Sequence, residues 1–381
     1  MADKFNRNIG LSEQFRTGSA FLLGPRQVGK STLLRDTFSD TTFINLLKSE
    51  EYLNLSNDPS RLRTIAQSGK IVVIDEIQRL PELLNEIHYL IEERGVRFLM
   101  TGSSARKLRR GGVNLLGGRA RTFRLHPLNI AELGEHFDLH KALQIGMLPA
   151  AWGSDDPNAL LLSYVSDYLE QEILLEAAVR NVSAFRRFLS FAALVSGKQI
   201  NYTKLSSDAQ VKPTTLREHV EILIDSLIAT RVAPWQKGNK RKVVASEKLY
   251  FFDIGVTRTL QERGSYAPNT PEYGEAFEAL IYQELRCYSD YRSKEAITYW
   301  RTATNLEVDF ILGDRIAIEV KASRSISESD LRGLRAIGNE AVFQARIVVC
   351  FEPQVRISND GILILPLQEF VTRLWQDGWQ S

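Results

Sequence analysis

The sequence predicts an α/β protein in three parts: a parallel-sheet domain over residues 1–145, a helical segment with a winged helix over 146–250, and a second α/β domain over 251–381. Three stretches carry the prediction. "AFLLGPRQVGKSTLLRDTF" runs from a short apolar strand through a glycine loop into residues at helical spacing. "NYTKLSSDAQVKPTTLREHVEILIDSL" reads as two helices about a tight turn, and an alternating ribbon comes after it. "EVDFILGDRIAIEVKAS", near the end of the chain, reads as two short apolar strands with ionisable residues at alternate positions.

The 381 residues suit two or three domains, and with 44% apolar and 25% charged residues there is enough apolar material for packed cores. A net charge of +2 imposes no global field, so any basic surface is local. No apolar run approaches the length of a membrane span, and the start "MADKFNRNIG" has no signal-peptide core. Cys287 and Cys350 make no disulfide framework, and five histidines beside two cysteines argue against structural zinc. His136 and His140 have ligand spacing on a helix but no third ligand near them in sequence. The expectation is a soluble cytoplasmic protein with no membrane partner.

In the first part, Ala20 to Leu23 forms the strand, and "GPRQVGKS" matches G-x-x-x-x-G-K-[ST] between that strand and a helix. The spacing has a physical reason. Gly24 and Gly29 let the backbone of Pro25, Arg26, Gln27 and Val28 wrap phosphate groups with inward N–H donors. The helix that opens at Lys30, Ser31 and Thr32 points its positive end at the same place. Lys30 reaches the β- and γ-phosphates of a bound ATP, and the Ser31 hydroxyl binds Mg²⁺. "KIVVIDEIQ" supplies a second strand, apolar throughout as in a sheet buried on both faces. Asp75 falls at its C-terminal end, where such sheets bind ligands, and is placed to hold the metal; Glu76 is placed to polarise the attacking water. A third strand, "VRFLMTGSS", ends in hydroxyls, of which Thr101 or Ser103 would meet the γ-phosphate or the water.

This order of phosphate loop, "VVIDE" and hydroxyl-tipped strand resembles AAA-type ATPases. The resemblance implies an arginine completing the site, either from a neighbouring subunit, which would demand a homo-oligomer through this domain, or from the same chain. Arg119 in "LLGGRARTFRL" is the matching position, with Arg121 as the alternative; such an arginine is worth about 10³–10⁵ in rate. The surrounding "RKLRRGGVNLLGGRAR" also reads as a plain basic, glycine-rich loop.

In the middle part, "NALLLSYVSDYLEQEILLEAAV" and "SAFRRFLSFAALVSG" have helical spacing. A helix over Tyr202 to Ala209, a turn at Val211 and Lys212, and a helix from Pro213 to about Leu227 make a helix-turn-helix. The ribbon after it turns at Gly238-Asn239. As a winged helix it would meet DNA through Lys212, Thr214, Thr215 and Arg217, with Lys237, Lys240, Arg241 and Lys242 near the phosphates. The acidic Glu218, Glu221 and Asp225 on the same helix fit equally a winged helix that only spaces proteins apart.

In the third part, strand alternation puts Val308, Phe310 and Leu312 on one face and Glu307 and Asp309 on the other, then Ile316, Ile318 and Val320 against Glu319 and Lys321. Burying both apolar sets together calls for a connecting loop of odd length, three residues with a bulge, or for strands offset by one, because a two-residue turn would pair Asp309 with Ile318. Asp309, Glu319 and Lys321 then match D…E-x-K, which resembles restriction-endonuclease-like nucleases. That resemblance implies Mg²⁺ or Mn²⁺ on Asp309 and Glu319 at a scissile phosphate, with Lys321 stabilising charge. A glutamate from the preceding helix "YGEAFEALIYQELRCYS" joins it, Glu278 ahead of Glu275, and "ARIVVCFEP" supplies a further strand. Val308 stands where the motif often has proline.

Taken in order, "GPRQVGKSTLL", "IVVIDEIQRLPELL", "FLMTGSSARKL", "KLYFFDIGV", "GEAFEALIYQELR" and "IAIEVKAS" resemble a widespread, mostly uncharacterised family of prokaryotic AAA-type ATPases. Its members carry a C-terminal domain of unknown function with a restriction-endonuclease-like core. Two functions are implied: an ATPase that engages and cuts DNA, or a nucleotide-driven switch or scaffold whose last domain binds without cutting.

Overall fold

The computed structural model describes residues 5–11, 15, 18–67, 70–103, 115–170, 181–236 and 246–379. The expected wing residues Lys237, Lys240, Arg241 and Lys242, with the Gly238-Asn239 turn, lie outside the described residues.

The first sheet has strands β1 (Ser19–Leu23), β2 (Thr42–Asn45), β3 (Ile71–Asp75), β4 (Arg97–Gly102) and β5 (Ala120–Arg124) in the order β2-β3-β4-β1-β5. Every pairing in it is parallel. The apolar runs in the sequence reflect this arrangement. Alternate residues feed two separate cores: Ala20, Leu22, Val73 and Leu99 enter one, and Phe21, Leu23, Val72 and Ile74 the other. Each such fully buried aliphatic side chain contributes roughly 1.5–3 kcal/mol. Because all strands run the same way, the tips of β1, β3 and β4 gather at one edge. Helix α1 (Lys30–Thr37) starts there, and helix α2 (Leu83–Arg94) packs on a flank.

The middle part supplies α3 (Val182–Leu194), α4 (Tyr202–Asp208) and α5 (Pro213–Asp225), then β6 (Ala229–Pro234) antiparallel to β7 (Lys248–Phe251). Pro213 sits in the first turn of α5, where its missing N–H costs nothing. β6 also pairs in parallel with β8 (Ile297–Arg301), so the ribbon continues into a second sheet. Its order is β12-β13-β11-β10-β9-β8-β6-β7, with β9 (Glu307–Leu312), β10 (Ile316–Val320), β11 (Ala345–Cys350), β12 (Arg356–Ile357) and β13 (Leu363–Pro366). Helices α6 (Ile254–Leu260) and α7 (Pro271–Tyr288) precede β8, and α8 (Arg332–Glu340) links β10 to the parallel β11. One core runs through all three parts, from Leu22 and Leu125 through Phe185 and Tyr250 to Phe277 and Phe310.

The β9–β10 hairpin turns on three residues, Gly313 to Arg315, and pairs Phe310 with Ile318. Gly313 takes φ 57°, which a side chain would resist. One expectation is overturned here. Val308 does not share a face with Phe310 and Leu312; it packs with Trp300 and Ile311 in a different cluster. The cause is a slip against β8, where Thr298 faces Ile311 but Trp300 faces Val308. Two steps on β8 thus span three on β9, a bulge that re-aims the strand at Asp309.

Candidate functional site

The strand tips of the first sheet place the phosphate loop beside the acidic pair. Gly24 has to be glycine, because a Cβ there would lie 2.3 Å from the Leu125 carbonyl oxygen, and Gly29 has φ +92°. Arg26, Gln27, Gly29, Lys30, Ser31 and Thr32 line a cleft of about 630 Å³, whose far wall includes Phe5, Pro149 and Ala150. The Lys30 ammonium donates to the carbonyls of Gly24 and Pro25, each at 2.8 Å. Val28 packs inward, and its carbonyl accepts from Arg7 Nη1 at 2.7 Å.

Ser31 Oγ donates to Asp75 Oδ2 at 2.8 Å, and Thr101 Oγ1 donates to Asp75 Oδ1 at 2.5 Å. These oxygens converge at the mouth of a loop whose two glycines leave an open cradle, and this donor set suits Mg²⁺ held with nucleotide phosphates. Glu76 is nearly buried and takes φ 63°, left-handed and costly for such a residue, with its N–H donating to Thr101 Oγ1 at 2.9 Å. Its carboxylate accepts a close hydrogen bond from Gln78 Nε2, which also donates to Ser103 Oγ at 3.0 Å. Sequence reasoning missed Gln78; its place two residues after Glu76, across a tight turn, was the available signal. It also missed Arg7, whose guanidinium ties Val28 to the His126 carbonyl at 2.6 Å while paired with Glu132 at 3.0 Å.

Arg119 is not at this site. It stands one residue before β5, which runs parallel to β1, so it lies at the opposite sheet edge from the phosphate loop. The length of β5, about 16 Å at 3.3 Å per residue, separates the two. Its guanidinium pairs with Glu92 on α2. Arg121, next to the same edge, is likewise remote. A role for Arg119 in its own chain's nucleotide site is excluded by this geometry.

Immediately beyond β5 the chain meets α7. Ile130 N–H donates to Glu284 Oε2 at 2.7 Å, Gln283 Nε2 donates to the Leu128 carbonyl at 2.7 Å, and His126 Nε2 lies 2.7 Å from Asp290 Oδ2. Burial alone would raise the Asp290 carboxyl, but His126, Arg286 and Arg124 hold it at about 2. Burial lowers the His126 imidazole below its ordinary value, against the hydrogen bond and charge of Asp290. Burial pushes Glu284 up to about 7 against donors from Trp375 and Ile130.

The D…E-x-K residues do come together. Val320 N–H donates to Asp309 Oδ2 at 2.8 Å, and Lys321 Nζ lies 2.7 Å from Glu319 Oε1. Burial raises Asp309 well above the usual carboxylate range, with the charges of Glu319 and Glu278 adding to it, and burial brings Glu319 to about 7. Glu278 accepts from Tyr250 OH at 2.5 Å and from Lys248 Nζ at 3.2 Å. Glu275 instead pairs with Lys198 at 2.7 Å. Among the described residues no group of three or more His, Cys, Asp or Glu side chains is placed to hold a metal ion. As folded, the expected Mg²⁺ or Mn²⁺ site on Asp309 and Glu319 does not fit a metal, because the carboxylates are engaged by ammonium groups and backbone N–H. Lys248, which sequence reasoning did not single out, pairs beside them with Glu307 at 2.7 Å and Glu278 at 3.2 Å.

At the start of α5, Lys212, Thr214 and Arg217 are exposed and Thr215 is half-buried. The Arg217 guanidinium lies 4.3 Å from the centre of the Tyr202 ring. No helix among the described residues is long and apolar enough to cross a membrane.

Comparison with known proteins adds three matches along the chain. Residues 17–134 match the AAA domain family, residues 136–266 match a domain of unknown function (DUF8612), and residues 273–370 match another (DUF4143). Uncharacterized proteins of Mycobacterium bovis and Mycobacterium tuberculosis are each 25% identical over 372 residues, covering 94% of this chain and 82% of theirs. Among solved structures, a Walker-type ATPase of Pyrococcus abyssi is 16% identical, covers 68% of this chain and 96% of its own, and has a TM-score of 0.46. The Holliday junction branch migration motor RuvB of Thermotoga maritima is 17% identical over 58% of this chain and 85% of its own, at a TM-score of 0.28. Both TM-scores lie below 0.5, and neither likeness speaks to function. The AAA match falls on the parallel sheet that carries the phosphate loop, Asp75 and Glu76, and match and geometry together support nucleotide binding and hydrolysis by an AAA-type P-loop domain.

Proposed function

We propose that this chain is an ATP-driven switch that engages DNA, in which the nucleotide state of the first domain is passed directly to the C-terminal part. The observation that supports it best is the docking of residues 126–130 on α7. The segment leaves β5 beside Gly24, and its backbone is held by Gln283, Glu284 and Tyr291. A shift of the phosphate loop on binding ATP moves this segment, and α7 with it.

In the hydrolytic step Lys30 leaves its two loop carbonyls for the phosphates. Ser31 and Asp75 would hold Mg²⁺, which when bound neutralises developing phosphate charge. Glu76 orients the attacking water and takes its proton, positioned by Gln78. Arg119, beside Glu92 at the far sheet edge, remains available to a neighbouring subunit, so assembly of several copies belongs to this reading. DNA contact at Lys212, Thr214, Thr215 and Arg217 is supported by their accessibility at the start of α5. A second reading, cutting at the C-terminal cluster, is favoured only by the adjacency of Asp309, Glu319 and Lys321.

Steady-state hydrolysis of ATP by the full chain, with and without duplex DNA, tests the proposal. Lys30→Ala abolishes turnover, Glu76→Gln retains ATP binding while losing about 10²–10⁴ in rate, and DNA raises the wild-type rate. A Lys30→Ala protein that hydrolyses ATP at the wild-type rate would overturn the site. A DNA-indifferent rate at intact turnover overturns the DNA engagement alone. Metal-dependent cleavage of the DNA that Glu319→Ala abolishes makes the second reading the better one.

A further inference from the structure

A second cavity, of about 90 Å³, shares no lining residue with the nucleotide cleft. It is bounded by Gly24 and Pro25 of the phosphate loop, by Arg124 at the end of β5, and by Gln283 and Arg286 of α7. Ile224, Leu227, Phe251 and Phe252 give it apolar lining. Its volume is the share of about three water molecules, at roughly 30 Å³ each, or of one small organic molecule.

Two side chains on this lining carry an unmet hydrogen-bonding group. Gln283 is 6% exposed; its Nε2 donates to the Leu128 carbonyl at 2.7 Å, and its Oε1 is buried with no hydrogen-bond partner among the described residues. Arg286 Nη2 lies 3.3 Å from Asp290 Oδ2, while its Nε is buried and likewise without a partner. Residues three apart on a helix are neighbours on one face, so α7 presents an acceptor and a charged donor together. Buried polar groups in native proteins are almost always paired, and two orphans on one cavity wall call for a ligand that meets both.

The complement is an anionic oxygen for Arg286 next to an O–H or N–H for Gln283. A carboxylate matches a planar guanidinium. Inorganic phosphate has no apolar side to set against Phe251 and Phe252. An amino acid would bring an ammonium group beside Arg286, so a hydroxyl is the better donor. We propose that this cavity binds a small 2-hydroxy acid of about three or four carbons, with its carboxylate on Arg286, its hydroxyl on Gln283 and its alkyl remainder on the apolar lining. The occupant stands between the phosphate loop and α7. No nucleotide enters this cavity, so the proposal holds without the ATPase reading.

The test is saturation-transfer difference NMR of lactate, propionate and inorganic phosphate competing for the full chain, without nucleotide and at constant ionic strength. Lactate binds at one site. Propionate, which leaves Gln283 Oε1 unmet, binds on the order of tenfold more weakly, and phosphate does not displace lactate. Arg286→Met weakens lactate at least tenfold, and Ala229→Leu, which fills the cavity from β6, removes binding. Should Arg286→Met fail to fold, Arg286→Lys keeps a cation for Asp290 without the Nε donor, and the same loss is expected. A wild-type chain that binds no lactate overturns the proposal, as does binding that both the Arg286 variant and Ala229→Leu leave intact. Equal affinity for lactate and propionate, or displacement of lactate by phosphate, overturns the assignment to a hydroxy acid.

Discussion

Arg7 and Glu132 form an ion pair at 3.0 Å with side chains 5% and 0% exposed. The pair joins the start of the chain to the segment just past β5. Because Arg7 also donates to the carbonyls of Val28 and His126, it straps the phosphate loop to the very stretch that docks on α7. Glu132 in turn accepts from the backbone of Asn8 at 2.8 Å, which leaves little of its charge unsatisfied.

Removing one partner leaves the other charged and buried. Arg7→Met is expected to cost about 3–5 kcal/mol. Denaturant unfolding measures it, and a loss below about 1 kcal/mol would show that the strap is not a structural element.

Gln78 places the Glu76 carboxylate, so its loss should act on turnover and not on affinity. Gln78→Leu keeps the KM for ATP within about twofold and lowers kcat by on the order of 10²-fold, with Gln78→Asn recovering part of it. A changed KM at an unchanged kcat contradicts this role.

Burial raises Glu284 from its ordinary 4.5 to about 7. The folded protein therefore binds this proton more tightly than the unfolded chain does. The resulting stability is fully present below pH 4.5 and is lost as pH rises through about 7. It amounts to roughly 3–4 kcal/mol at 1.36 kcal/mol per pH unit. Glu284→Gln should flatten the fall in stability across this window, and chemical denaturation at several pH values reads it. An unchanged slope would place the ionisation elsewhere.

If α5 meets DNA phosphates, Lys212→Ala and Arg217→Ala each weaken binding evenly across sequences and lower the slope of log K against log salt by about 1. Fluorescence anisotropy at graded salt checks both. An unaltered slope in both variants would leave α5 as a spacer.

What is legible in the sequence is local. The phosphate loop, β3 and β4 are each continuous runs whose spacing reports their chemistry, and the odd length of the hairpin loop is one of the two outcomes that alternation allows. Action of Arg119 within its own chain is ruled out because an arginine before β5 cannot reach the far edge of a parallel sheet, a point the strand direction itself contains. Val308 changes face because a bulge depends on β8, a partner strand whose register is invisible in the run "EVDFIL". Lys248 and Arg7 escape sequence reasoning for the same reason. Each acts across 20 or more residues of intervening chain, on Glu278 and Val28 respectively, and only tertiary packing brings them there.

The most direct measurement of the link between the two ends is amide hydrogen exchange on Glu76→Gln, free and saturated with ATP and Mg²⁺. Coupling through the docked segment predicts altered protection at residues 126–130 and along α7 and its extension from Gln283 to Asp290, besides the phosphate loop. Protection that changes at the phosphate loop but nowhere on α7 would contradict it.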